Sequence, residues 1–330
     1  TMMPDSVFEM HYSDMMSTLR DGHTQLVIKN LHTDRIITVQ PSLNRIKEKN
    51  DKWYAYLLFW PSLNHYKWLS EGDSNKLDEH VTASGKYQYG RFADNILYLH
   101  LAECYLDSCF NEQSDTYNSS SSKDARKVWT RWFETMQQLH AQGSLRGVII
   151  DVRSNGGGSG SCSSYVFGSL HNQQLENTGC YRRGMSREKN GQGRLEFMSK
   201  IPMLWPLNSE EHATITEPIV VMANYFSCST AEHICLDAKE MENAWVLGTQ
   251  TFGALSPSGG HNSEVGNAGG MHAYAFELTT PSAAFFTDSG ELLEGIGVAP
   301  DIECLFDWDL YKSTQRDNQL EKALQFIRAR

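Results

Sequence analysis

The chain has 330 residues, with a hydrophobic fraction of 40%, a charged fraction of 21% and 11% aromatics. That is enough apolar material for one large or two medium folded domains, and too much for wholesale disorder. The formal net charge of -11 argues against a nucleic-acid partner, because phosphate binding needs clustered Lys and Arg to replace counterions. No apolar run approaches the ~20 residues that a membrane-spanning helix requires.

Phe8, Tyr12, Met15 and Leu19 fall on one helical stripe that ends at Asp21-Gly22, where glycine takes a left-handed helix end. His23 follows at once, ahead of the strand-like Thr24–Lys29. It reads either as a rigidly placed functional group or simply as a polar residue at a strand start. Ile36–Val39 and the aromatic Trp53–Trp60 read as further strands of a smaller β-rich subdomain, with the aromatics as core.

Ile96–Leu101 is the first strand of the main body. Residues 111–122 read as a loop, and its Asn118-Ser-Ser120 matches a glycosylation sequon that a serine-rich loop supplies by chance. Ala125, Val128, Trp129, Trp132, Phe133, Met136 and Leu139 then keep helical spacing. Gly147–Val152 is a strand running into Arg153-Ser-Asn-Gly-Gly-Gly-Ser-Gly160 and a helix through Tyr165 and Phe167. Residues 170–216 carry little signal beyond charged loops.

The most telling stretch is Ile219–Glu232. Ile219-Val-Val-Met222 has the composition of a strand buried on both faces, and Ile234, Cys235 and Ala238 recur at helical spacing, so a helix starts near Ser229. A serine at that junction lies at the carboxyl edge of the sheet and faces the positive end of a helix dipole, which suits a nucleophile. The same residues also spell a capping box, Ser229-x-x-Glu232. Trp245–Gly248 is a third strand, leading to Thr251-Phe-Gly253; β-signals follow at 271–278 and 283–287, then Gly295–Ile302 and a final helix bearing Leu320, Ala323, Leu324 and Ile327. Strands alternating with helices predict an α/β body with a mostly parallel sheet over 87–330, behind an N-terminal helix and β-rich subdomain over 1–86.

The seven cysteines follow no metal-like spacing, and their odd count speaks against a full disulfide framework. No metal or other cofactor is expected, and EDTA is expected to have no effect. Asn155-Gly-Gly-Gly-Ser-Gly160 also invites comparison with a nucleotide phosphate cradle, but it lacks both Gly-Lys-Ser/Thr and the spaced Gly-x-Gly-x-x-Gly. The chain opens Thr1-Met-Met without a signal segment, so a further piece upstream, a leader or anchor, is expected.

Two strand-turn-helix units thus present a serine hydroxyl and unobstructed glycine N–H groups at one sheet edge, a combination suited to acyl transfer. Five blocks carry a family resemblance: Asp21-Gly-His-Thr24, Gly147–Gly158, Ser227-Cys-Ser-Thr-Ala-Glu232, Gly248–Gly253 and Gly295–Asp301. In this order they resemble the tail-specific, or C-terminal processing, serine peptidases, whose superfamily includes tricorn core protease and the interphotoreceptor retinoid-binding proteins. The resemblance implies a ClpP/crotonase-like β-α-β core and a peptide or unfolded-protein substrate. It makes Ser229 the nucleophile, with Ser227 as fallback, and draws the oxyanion donors from Gly157 or Gly158 and from Thr230.

Processing-type members carry a base lysine directly after the Thr-Phe-Gly block, where this chain has Ala254. The resemblance is therefore to the tricorn-like branch, with His23 as the base and Glu294 orienting it. Glu232 is a helix cap first and a support for the nucleophile second. No glycine-flanked carboxylate loop is identifiable between His23 and Tyr89, so a complete PDZ module is not expected. Family setting implies a bacterial envelope or exported location. A non-catalytic protein binding an apolar ligand or peptide on the same fold is the alternative.

Overall fold

The computed structural model describes residues 77–83, 86–171, 213–255 and 292–330, together with Phe285 and three strand pairs: 26–29 with 36–39, 185–186 with 196–197, and 263–264 with 277–278. The chain divides into two compact units, Thr1–Phe59 and Trp60–Arg330. In the first, Leu26–Lys29 pairs antiparallel with Ile36–Val39, two segments whose β-branched runs predict strands. The expected helix over 8–19, His23 and the aromatic stretch 53–60 lie outside the described residues.

The second unit is built on a seven-stranded sheet. Its strands are β1 (Leu77–Ala83), β2 (Tyr87–Phe92), β3 (Ile96–Leu101), β4 (Gly147–Asp151), β5 (Ile219–Ala223), β6 (Ala244–Gly248) and β7 (Ile302–Glu303). In space they run β7-β6-β5-β4-β3-β2-β1. The five strands from β7 to β3 are mutually parallel, and β2 and β1 add antiparallel at the far edge. The sheet therefore starts at Leu77, ahead of residue 87. β1 and β2 are not signalled by the sequence, because Gly90 interrupts β2 and a charged run opens β1.

Among the described residues six helices accompany these strands: α1 (Leu106–Phe110), α2 (Ser120–Ala141), α3 (Ser161–Leu170), α4 (Thr230–Lys239), α5 (Trp308–Thr314) and α6 (Asn318–Arg328). α2 starts at Ser120, inside the expected loop, because Ser119 caps it by accepting a hydrogen bond from Ser122 N–H at 3.1 Å. Every residue of β4 and β5 is buried, as expected for central parallel strands covered on both faces. Leu97, Leu99, Val148, Ile150 and Val221 face a core that includes Trp129, Trp132 and Met136 of α2. Ile149, Val220 and Met222 point the other way, onto Leu320, Ala323, Leu324 and Ile327 of α6. Period-2 alternation in the strands and the apolar stripe of the last helix account for both layers.

Register sets the location of the site. Asp151 lies opposite Met222, and Ala223 opposite Gly248, so β4, β5 and β6 end level and release their following turns at one edge. In an open α/β sheet this carboxyl edge is where the cleft forms.

Candidate active site

The turn after β5 is folded by its own polar side chains. Asn224 Oδ1 accepts from Phe226 N–H at 3.0 Å and from Ser154 N–H at 2.9 Å, which closes an Asx turn and joins it to the turn after β4. Ser227 is fully buried. Its hydroxyl donates to the Val152 carbonyl at 2.8 Å and accepts from Asn224 N–H at 3.0 Å. The fallback nucleophile is thereby a fastening between two turns. Ser229 is half-buried and sits at φ 54°, ψ -120° immediately before α4. A residue with a Cβ rarely adopts that conformation, and such strain persists only where surrounding contacts enforce it. Ser229 N–H donates to Glu232 Oε2 at 3.0 Å, and the neighbouring Cys228 N–H donates to the Asn155 carbonyl at 2.9 Å.

The glycine turn lies directly against this serine. Gly157 (φ +93°) is so close that a Cβ there would stand 2.6 Å from Ser229 Cβ and 3.1 Å from its Oγ. Gly158 (φ +149°) backs onto Cys104, whose carbonyl oxygen a Cβ would meet at 2.3 Å. Gly157 N–H is engaged, donating to Asn155 Oδ1 at 2.8 Å. The N–H groups of Gly158 and Thr230 have no acceptor among the described residues. Thr230 opens α4, where the first amides of a helix have no intrahelical partner. Its hydroxyl donates to the Gly158 carbonyl at 3.1 Å, linking the two turns again.

Glu232 ties a third turn to the serine. Its buried carboxylate accepts four hydrogen bonds: Thr251 hydroxyl at 2.6 Å and Gly253 N–H at 2.7 Å on Oε1, Ala254 N–H at 2.9 Å and Ser229 N–H on Oε2. All of its lone-pair directions are thus used. Burial pushes its pKa up, opposed by these four donors. The same segment reaches the turn of Glu294: Thr251 N–H donates to the Val298 carbonyl at 3.1 Å, Val298 N–H donates to Thr251 Oγ1 at 2.7 Å, and Gly295 N–H donates to the Gly253 carbonyl at 2.6 Å. Burial raises the Cys228 thiol to about 11, and the charges of Glu232 and then Glu294 add to the rise. Glu294 therefore lies within electrostatic reach of the residue beside Ser229.

His233, one turn into α4, was not singled out by the sequence. Its Nε2 lies 3.0 Å from the Leu255 carbonyl and its ring meets Phe285 edge-on at 4.8 Å. A carbonyl only accepts, so Nε2 carries the proton and braces the 251–255 loop. Among the described residues no group of three His, Cys, Asp or Glu side chains is placed to hold a metal ion, and no helix is long and apolar enough to cross a membrane.

The model of peptidase family S41 matches residues 96–304, well over half of the chain and all four of these turns. The chain belongs to peptidase family S41. It is 25% identical over 197 residues to the tricorn protease of Thermoplasma volcanium, covering 59% of this chain and 16% of that one. It is 29% identical over 159 residues to the carboxy-terminal-processing protease of Bartonella bacilliformis, covering 48% of this chain and 31% of that one. The chain thus spans less than a third of either relative's length. A crystal structure from Parabacteroides merdae, of a protein assigned as a candidate peptidase, shares the fold with a TM-score of 0.52 at 19% identity. That match covers 99% of this chain and 84% of the other.

Within this S41 core the turn of Ser229, the glycine turn, the 251–254 loop and the loop of Glu294 converge; His23 lies outside the described residues. At the position of the processing-type lysine, Ala254 contributes its backbone N–H to Glu232. Sequence reading missed Asn155, Asn224, Thr251 and the fastening role of Ser227. The one available signal was their small polar character within blocks otherwise built of glycine and apolar residues.

Proposed function

We propose that this chain is the catalytic core of a serine peptidase acting on peptides or unfolded proteins, with Ser229 as nucleophile. The observation that carries the reading is the strained, half-buried Ser229 at the start of α4, held against the Gly157–Gly158 turn. Oriented amides at a helix start stabilise developing negative charge. The oxyanion donors are Gly158 N–H and Thr230 N–H; Gly157 N–H, engaged by Asn155, leaves Gly157 the steric role of letting the turn approach the serine.

In this mechanism His23 takes the Ser229 proton as Oγ attacks the peptide carbonyl, and returns it to the leaving amine as the tetrahedral intermediate collapses. Water then hydrolyses the acyl-enzyme by the same route. Glu294 orients the imidazole. His23 is assigned from the Asp21-Gly-His-Thr24 block, and Glu294 from its place ahead of Gly295-Ile-Gly-Val. Membership of S41 favours an exported or envelope setting for the whole protein.

The test is intact-mass spectrometry after treatment with a fluorophosphonate, comparing the wild type with Ser229→Ala and His23→Ala. One adduct on the wild type, absent from both variants, is expected. Persistence of the adduct in Ser229→Ala moves the nucleophile elsewhere. Unchanged labelling in His23→Ala removes the assigned base.

A further inference from the structure

We propose that Asn155 is a positioning residue for the S41 reaction, setting the spacing between the oxyanion donors and Ser229; the inference rests on the peptidase reading above. Asn155 is fully buried, so it touches no substrate and acts only through its neighbours. Those neighbours are the parts that must be held in place. Oδ1 accepts from Gly157 N–H at 2.8 Å and from the Cys104 thiol at 3.5 Å, and Nδ2 donates to the Leu101 carbonyl at the end of β3 at 2.8 Å. Its backbone carbonyl accepts from Cys228 N–H at 2.9 Å, next to the nucleophile, and its own N–H donates to the Val152 carbonyl at 3.2 Å. The amide orientation is fixed by these partners, since a flip would set NH2 against an N–H and oxygen against a carbonyl.

The need for such a residue follows from the chain around it. Gly156, Gly157 and Gly158 are consecutive, and glycine populates many backbone conformations at similar cost. The two positive φ values, +93° and +149°, are therefore not enforced by the glycines themselves. Asn155 enforces them from one side through Gly157 N–H. From the other side its carbonyl fixes Cys228, so Asn155 is a post shared by the donor turn and the nucleophile turn and anchored on β3, beside the Thr230–Gly158 and Ser154–Asn224 ties. Catalysis by oriented donors tolerates little drift, because stabilisation of the oxyanion depends on their distance from the place where charge develops.

The experiment compares a peptide aldehyde with its alcohol, N-acetyl-leucyl-leucyl-norleucinal against N-acetyl-leucyl-leucyl-norleucinol, on the wild type, Asn155→Ala and Asn155→Ser. The aldehyde forms a hemiacetal oxygen that needs both the serine and the donors; the alcohol measures ground-state binding alone. Asn155→Ala should weaken aldehyde binding by about 10- to 100-fold, less than the ~100- to 1,000-fold that outright removal of an oxyanion donor costs because the donor is displaced and not lost, while alcohol binding holds. Asn155→Ser, a smaller disturbance, should fall between and supplies the same comparison if the alanine variant does not fold. Parallel loss of both ligands, or loss of neither, overturns the positioning role. A wild type that prefers the aldehyde no more than the alcohol sinks the peptidase reading itself, and this inference with it, before any variant is examined.

Discussion

Replacing Gly157 by alanine probes the closest approach in the site. The new Cβ would stand 2.6 Å from Ser229 Cβ, whereas two carbons in contact settle near ~3.6 Å. Relief thus requires a displacement of about 1 Å, shared between the glycine turn and the serine, and misplacement of that size costs on the order of 100-fold in rate. Alanine at φ +93° adds backbone strain of roughly 1 kcal/mol, and overpacking adds roughly 1–3 kcal/mol. Gly157→Ala should therefore lower the second-order rate of fluorophosphonate labelling about 100-fold and stability by about 2–4 kcal/mol in urea denaturation. Gly160→Ala is the control, since Gly160 is helical (φ -59°, ψ -28°) with nothing within 4 Å of its virtual Cβ. Labelling of Gly157→Ala within about threefold of the control would show that the turn and the serine do not depend on this contact.

Three further substitutions probe the supports. Glu232→Gln keeps one oxygen acceptor and turns an NH2 group toward two of the four donors, leaving one N–H group without an acceptor if it faces the Thr251 hydroxyl and Gly253 or two if it faces Ala254 and Ser229, so urea denaturation should show a loss of about 1–4 kcal/mol; an unchanged midpoint would mean that the four bonds contribute nothing net. Arg153, 1% exposed, donates to Asp151 Oδ2 at 2.6 Å and to Asp317 Oδ2 at 2.7 Å. Arg153→Met leaves two buried carboxylates without their cation and should cost about 3–5 kcal/mol, checked by the same denaturation; a loss under about 1 kcal/mol would reassign the cluster as tolerant of an apolar substitute. His100, buried beside the Asp151 carbonyl, is lowered from 6.5 to about 4, chiefly by burial. A depressed folded-state pKa means the unfolded chain binds the extra proton first, so this stabilisation is complete above pH 6.5 and is lost as pH falls toward 4, to a total of about 3 kcal/mol. His100→Gln should flatten the stability profile over that window, and an equally steep acid limb in the variant would refute the assignment.

Periodicity and turn chemistry made the central architecture legible. The β-branched run Ile219–Met222, the glycines after Asp151 and the apolar stripe of α6 each signal an element within its own few residues. The antiparallel β1 and β2 were not legible, because their residues alternate poorly and their pairing depends on partners along the sheet edge. Around the site, the separate motif blocks were readable but the ties between them were not. Ser227 and Ser229 are two residues apart in similar company, and only burial and backbone conformation distinguish a fully buried fastening from a half-buried serine at strained φ. Asn155 and Asn224 act through long-range hydrogen bonds, among them one of 54 residues to Leu101 and one of 70 to Ser154, which leave no periodic trace. The φ of Ser229 likewise belongs to the assembled turns and not to serine's own preference.

The Arg153 clamp has a consequence for timing. Asp317 lies 164 residues after Arg153 and caps α6 by accepting from Gln319 and Leu320 N–H. Until the chain has been made through Asp317, the arginine immediately ahead of the glycine turn lacks its second carboxylate. Contacts of such separation close late, after local helices and neighbouring strands have formed. A nascent or truncated chain would thus carry Ser229 while the turn beside it still lacks its downstream brace, and the final geometry of the glycine turn would be coupled to completion of the fold.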